Sequence, residues 1–271
     1  MEKKLLLFDV DGTLISYDLV LPQSTIDAIQ RARQNGHYAF VVSGRSKGHM
    51  SQRVMDIGFD GLIGGNGSYI EVNDTIIQDK TFSLEETKKF VDYLEQKDFD
   101  FYMECDRCLY GSKYFEQRAI PTYEAYGCPK PVIIRDIYPD MEFPASLYQD
   151  KICKINYILH TYQDYLDFKD HFSSYKCMTW GGKNEKALFG DVTLHIDKAK
   201  AIQTLANYLQ ISKENIISFG DSEVDIPMFE ASGISVAMNS GKQAAKQAAC
   251  YITDSVVEDG IFHALKHFEI I

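Results

Sequence analysis

The sequence has no long hydrophobic run. Nothing in its 271 residues approaches the roughly twenty consecutive apolar residues that a membrane-spanning helix needs, which excludes a helical membrane protein. It has no basic excess either. Lys and Arg number 28 against 39 Asp and Glu, a net charge of −11, which argues against a nucleic-acid partner held by its phosphate backbone. Repeats at a fixed period and low-complexity stretches are absent. The six cysteines are scattered, and only Cys105 and Cys108 form a close pair. One C-x-x-C without a second is no zinc framework, and the thiols read as reduced ones in a cytoplasmic protein. Met1-Glu2-Lys3-Lys4 leads into an apolar run too short for a signal peptide, so no targeting segment is expected. Hydrophobic residues at 45% and charged residues at 25% describe a globular chain, long enough for one large domain or two ordinary ones.

The most informative segment is Leu5-Leu6-Leu7-Phe8-Asp9-Val10-Asp11-Gly12-Thr13. A continuous apolar run of this length predicts a strand buried on both faces, as in a parallel sheet. Ligands of such sheets bind beyond the carboxyl ends of the strands, where Asp9 and Asp11 stand. Residues i and i+2 of an extended segment point the same way, so the two carboxylates lie side by side. They repel, and a divalent cation is the usual remedy.

The spacing continues as strand, helix, strand, helix, strand and hairpin through the first 80 residues. Strands are expected at Tyr38–Val42 and Leu62–Ile63, a helix over Lys47–Ile57, and a hairpin across Asn73-Asp74. Leu14–Leu21 reads as a short hairpin or flap. In the middle, Ser83 starts a helix with capping-box spacing, and another is expected over Tyr114–Tyr126. Gly127–Gln149 holds four prolines and predicts a loop with at most one edge strand. From Lys198 onward the pattern returns to helix and buried strand. The fold expected is α/β: a Rossmann-like, mostly parallel sheet core over 1–81 and 186–271, split by an inserted α/β cap domain over 82–185.

Four motifs follow strands or open helices in order: Asp9-x-Asp11-Gly12-Thr13, Ser43-Gly44-Arg45, Lys198, and Gly220-Asp221-x-x-x-Asp225. Together they resemble the haloacid dehalogenase superfamily of phosphohydrolases, and more narrowly its Cof-like branch with a type IIB cap. Asn66-Gly67 and Glu258-Asp259-Gly260 match that branch too, and the resemblance covers the whole chain. It implies a Mg²⁺-dependent phosphatase acting on a small phosphorylated metabolite through an aspartyl-phosphate. Asp9 is then the nucleophile. Asp9, the backbone carbonyl of Asp11, and Asp221 hold the metal. Asp11 protonates the leaving alkoxide, then deprotonates water, for which it must hold a proton at neutral pH. Ser43, the Gly44 N–H and Lys198 bind the phosphoryl oxygens, and Asp225 orients Lys198 or a metal-bound water. Arg45 and Asn66 are candidate substrate contacts.

Each residue alone has a plainer reading. Lys198 fits an exposed first-turn lysine, Ser43 a helix cap, Asp225 a first-turn acid, Asp221 a turn acid, Arg45 a surface arginine, and Asn66 a turn residue. The ordered set favours the chemical reading. His263 and His267 have metal-ligand spacing on a helix but no third ligand nearby in sequence. Three positions depart from the family pattern. Val224 replaces the usual Asn, Ala199 follows the lysine where glycine is common, and His195-Ile196-Asp197 precedes it. Valine donates no hydrogen bond, so a phosphate or lysine contact is either lost or supplied by another group, with Ser222 the candidate. Three rivals follow: a sugar-phosphate mutase or phosphotransferase using the same chemistry, a non-catalytic phospho-ligand-binding homologue permitted by Val224, and a receiver-type phosphorylation domain, against which Asp11 and the long insertion count. Substrate and oligomeric state are not legible.

Overall fold

In the computed structural model, which describes residues 2–182 and 184–271, the apolar run at the start of the chain is a central strand. In chain order the first strands are β1 (Leu5–Phe8), β2 (Tyr38–Val42), β3 (Gly61–Gly64), β4 (Tyr69–Val72) and β5 (Thr75–Asp79). Then come β6 (Phe101–Glu104), β7 (Leu109–Gly111), β8 (Met141–Glu142), β9 (Lys154–Ile158), β10 (Lys176–Trp180) and β11 (Phe189–Thr193). The last are β12 (Ile216–Gly220), β13 (Ile234–Met238) and β14 (Tyr251–Thr253). The chain divides into two compact units. One holds everything up to Gly44 with Met50–Asp79 and Asp197–Ile271; the other holds Arg45–His49 and Lys80–Ile196.

The first unit is a sheet in the order β14-β13-β12-β1-β2-β3-β4-β5, parallel from β14 to β3 and antiparallel beyond. Both faces of β1 are buried. Leu6 and Phe8 enter the core on one side, and Leu5 and Leu7 enter a second core on the other. Phe8 stacks on Phe219 of neighbouring β12 with ring centroids 4.7 Å apart. Each such side chain contributes on the order of 1.5–3 kcal/mol by leaving water. The carboxyl ends of β1 and β12 are therefore rigid, and Asp9 and Asp221 are the first residues beyond them. The expected hairpin is β4–β5, turning through Asn73 and Asp74 at positive φ.

Local expectations failed where prolines and packing interrupt helices. Lys47–Ile57 is not one helix but a 3-10 turn at Lys47–His49 and a short helix at Gln52–Met55. The first of these lies in the second unit and the other in the first, so the chain leaves one packing environment for another at Met50. Tyr114–Tyr126 is two helices, Phe115–Arg118 and Ile120–Tyr126, with Pro121 in the first turn of the second. Gly127–Gln149 has the edge strand, β8, but also a helical turn at Ile134–Ile137.

The second unit is a sheet in the order β10-β11-β9-β6-β7-β8, antiparallel except for β7–β8. Its β11 lies beyond residue 185, where the sequence pattern put the return to the core. One face packs Phe101, Ile155 and Tyr157 with Phe90, Leu94 and Phe168 from the helices Leu84–Gln96 and Tyr162–His171. By period two the opposite face carries Glu104, Lys154, Asn156 and Asp191.

Glu104 is only 1% exposed. Its carboxylate accepts from Ser46 N at 2.9 Å and Asn156 Nδ2 at 2.8 Å, and pairs with Lys154 Nζ at 3.4 Å and His49 Nδ1 at 3.3 Å. Burial alone would raise its pKa; Lys154 and His49 outweigh burial and hold it below the ordinary 4.5. A depressed carboxyl adds stability above its unfolded value and loses it as pH falls through the folded one. The Glu104 contribution is therefore present at neutral pH and drains below about 4.5. Glu104→Gln is expected to cost about 3–5 kcal/mol at pH 7, because it strands the Lys154 charge. Urea denaturation checks this: the gap to wild type should narrow in acid, and a pH-independent gap would contradict it.

Candidate active site

The site is built from strand ends and one helix of the first unit. Asp9 follows β1 and donates its N–H to Phe219 O at 3.0 Å, which locks it to β12. The chain then turns at Gly12, whose N–H donates to Ile15 O at 2.7 Å. Gly12 has φ +83°, and a Cβ there would collide with the Asp221 carboxylate. Glycine is thus required both for the turn and for the approach of Asp221. Thr13 is fully buried, with a hydroxyl that no described residue partners.

Lys198 is the first residue of the helix Lys198–Leu209, capped by Asp197 through Ala199 N at 2.8 Å. It is not an exposed first-turn lysine; its side chain is 5% exposed. Nζ lies 3.2 Å from Asp225 Oδ1 and 3.8 Å from Asp9 Oδ1. Burial opposes the ammonium charge, but Asp225 and Asp9 more than compensate and raise its pKa. Asp225 Oδ2 accepts from Asp221 N, Ser222 N and Ser222 Oγ, each at 3.1 Å. Asp225 is therefore saturated by its bonds to Lys198 and to the turn after β12.

Asp9 is pushed well above the usual carboxylate range by burial and by the Asp225 charge, against the pull of Lys198. Burial pushes Asp221 up to about 6, with Asp225 adding to the rise and the Tyr17 hydroxyl and Lys242 opposing it. Tyr17 Oη donates to Asp221 Oδ2 at 2.9 Å, while Asp221 Oδ1 is buried without a partner. Carboxylate oxygens of Asp9, Asp221 and Asp225 lie within 4.8 Å of one another. An all-oxygen set with an unpartnered buried carboxylate atom fits a hard divalent cation. Because Asp225 is committed to Lys198 and the backbone, Asp9 and Asp221 are the side chains free to hold it.

Ser43 is buried after β2 and tied to β3 by its N–H to Ile63 O at 2.9 Å. Asn66 sits at φ 59° and donates its N–H to Ser43 O at 3.1 Å, and its side chain borders Gly44. In this structure Asn66 buttresses the Ser43-Gly44 loop. Asp11 closes the turn by bridging to Ile15. Arg45 belongs to the second unit. Val224 is 52% exposed, and Ser222 bonds Asp225 rather than Lys198. His263 and His267 do not converge on a ligand: His263 Nδ1 pairs with Asp254 at 2.7 Å, and His267 stacks on Tyr251. Sequence reasoning missed Tyr17, and gave Thr13 no role beyond its place in the first motif. Tyr17 lies in the flap, where nothing but proximity in space marks it.

The sequence profile of the haloacid dehalogenase-like hydrolases matches residues 6–265. Two Bacillus subtilis (strain 168) proteins, 5-amino-6-(5-phospho-D-ribitylamino)uracil phosphatases YcsE and YitU, are each 24% identical to this chain. The YcsE match covers 98% of this chain and 95% of that protein, and the YitU match 99% of each. Among solved structures, the subclass IIB sugar phosphatase BT4131 is 27% identical, covers 99% of this chain and 100% of its own, and superposes with a TM-score of 0.76. The phosphatase BT1666 from Bacteroides thetaiotaomicron is 26% identical with a TM-score of 0.78, covering 99% and 96%. With matches along its whole length and this cluster at its strand ends, the chain belongs to the haloacid dehalogenase-like hydrolases and is a phosphoric monoester hydrolase of their Cof-like branch.

Proposed function

We propose that this phosphatase hydrolyses a small phosphorylated metabolite by way of an aspartyl-phosphate on Asp9, with Mg²⁺ as its cation. The carrying observation is the buried Lys198 ammonium set between Asp225 and Asp9. It places a fixed positive charge beside the nucleophile, where phosphoryl oxygens must approach. Asp9 and Asp221 would hold the cation, with the Asp11 carbonyl as a further oxygen; it would supply charge neutralisation for the phosphoryl group. An Asp9 carboxylate oxygen attacks phosphorus and the ester P–O bond breaks. Asp11 gives its proton to the departing alkoxide. Water then attacks the acyl phosphate, Asp11 takes the proton, the bond to Asp9 breaks and inorganic phosphate leaves. Ser43 and the Gly44 N–H donate to the phosphoryl oxygens throughout.

The named substrates of the similar phosphatases are a ribityl phosphate and sugar phosphates. A phosphorylated polyol or sugar is the class we favour within the wider set of sugar phosphates, nucleotides and phosphorylated cofactors. A binding-only homologue is disfavoured, since Asp225 keeps its bonds to Lys198, Ser222 and backbone N–H groups despite Val224, and the similar proteins are named phosphatases. The free cysteines fit a reducing, cytoplasmic setting. No helix among the described residues is long and apolar enough to cross a membrane.

The test is phosphate release from a panel of sugar, polyol, nucleotide and cofactor phosphates with Mg²⁺ or chelator. Turnover is expected on sugar or polyol phosphates and should stop with chelator. Isomerised substrate without free phosphate would show a mutase instead, and metal-independent turnover would remove the cation from the reading.

A further inference from the structure

Tyr17 has an inverted exposure. A tyrosine on a surface flap ordinarily covers apolar neighbours with its ring and leaves its hydroxyl in water. Here the residue is 66% exposed, yet its hydroxyl reaches inward to donate to Asp221, which is 1% exposed. Little apolar burial explains such a placement, whereas the hydrogen bond does.

The flap that carries it is built rather than loose. Ile15 and Leu21 are buried in the core at its two ends. Ser16 N donates to Val20 O at 2.9 Å, Leu19 N to Ser16 O at 2.8 Å, and Val20 N to Ser16 Oγ at 3.1 Å. The Arg53 guanidinium donates to Leu19 O at 2.9 Å and ties the tip to the same unit. Gly12 lies against both the Asp221 carboxylate and the Tyr17 ring, so there is room for the hydroxyl and no side chain between.

We propose that Tyr17 is a positioning residue of the cation site, holding Asp221 Oδ2 so that the partnerless Oδ1 is left for the metal. The inference rests on the metal-dependent reading above and assigns a residue outside the four motifs. The chemistry of the donor matters. A lysine or arginine on Asp221 would cancel the charge that attracts a cation, as Lys198 does for Asp225. A neutral hydroxyl fixes the orientation of the carboxylate and leaves its charge available. Groups that orient metal ligands in this way typically change metal affinity by about 10–100-fold when removed.

The test uses Mn²⁺ as probe, because its free ion is counted directly by electron paramagnetic resonance. Wild type, Tyr17→Phe and Asp221→Asn are titrated as full chains. The expected result is binding in wild type that Asp221→Asn abolishes, and a Kd raised by about tenfold in Tyr17→Phe. The metal-free unfolding midpoint should fall slightly in Tyr17→Phe, by the one hydrogen bond it takes from buried Asp221, so Kd is read well below that midpoint. The Mn²⁺ concentration for half-maximal phosphate release should rise in parallel, with kcat at saturating Mn²⁺ changing less. An unchanged Kd in Tyr17→Phe beside Asp221-dependent binding in wild type overturns the role of Tyr17 alone. Tighter binding overturns it too, and shows the hydroxyl competing with the cation. Absence of Asp221-dependent binding in wild type overturns the metal site itself, and Tyr17 with it.

Discussion

Asp9→Asn is expected to lower phosphate release by at least about 10³-fold on every substrate the wild type accepts. The amide matches the carboxylate in shape but cannot form an acyl phosphate, so the covalent route closes. The fold should not suffer. Asp9 lies among Asp225, Asp221 and Asp11, and burial already disfavours its charge. A neutral side chain ends that repulsion, so the unfolding midpoint in chelator should stay at or above the wild-type value. The paired measurement is phosphate release and thermal unfolding on the same preparation. Residual hydrolysis near wild type would remove Asp9 as nucleophile. Lost activity with a large drop in midpoint would mean that the residue is structural.

Lys198→Met should damage both activity and stability. The substitution keeps a long side chain but removes the cation facing Asp225 at 3.2 Å and Asp9 at 3.8 Å. Breaking a buried pair from one side costs about 3–5 kcal/mol, because the abandoned carboxylates stay buried. The loss of a preorganised positive charge should lower turnover by about 10²–10³-fold. Combining Lys198→Met with Asp225→Asn separates the two effects. Neutralising the abandoned Asp225 should restore part of the stability and none of the turnover, a coupling that chemical denaturation of the four-member cycle measures. Equal denaturation midpoints for wild type and Lys198→Met would contradict the buried pair.

These two residues show how unevenly the sequence speaks. Asp9 is legible because an uninterrupted apolar run leaves one way for the strand to end. The structure indeed buries Leu5 and Leu7 on one face and Leu6 and Phe8 on the other. Lys198 is different. By spacing alone it belongs on the solvent side of an amphipathic helix, and only its company with the other motifs argued otherwise. The structure buries it because Asp225, twenty-seven positions later, supplies the compensating charge. Helix extents were legible where an amphipathic stripe runs unbroken, as in Lys198–Leu209. They failed over Lys47–Ile57 and Tyr114–Tyr126, where the chain changes packing partners or meets a proline within a single apolar stripe.

By itself the sequence determined the α/β class, the parallel core and the family, because each depends on local periodicity and short motifs. The choice among carboxylates belonged to the tertiary structure. Asp9, Asp221 and Asp225 are alike as residue types, and their separate situations arise from what surrounds them. Asp225 is saturated by Lys198, Ser222 and backbone N–H groups, whereas Asp221 keeps an unpartnered oxygen. Tyr17 was beyond the sequence for the same reason. Its partner is 204 positions away, and no periodicity carries a hydrogen bond across that distance. Local pattern decides which elements form; the long-range neighbours that fix charge, burial and hydrogen bonding exist only once those elements have packed.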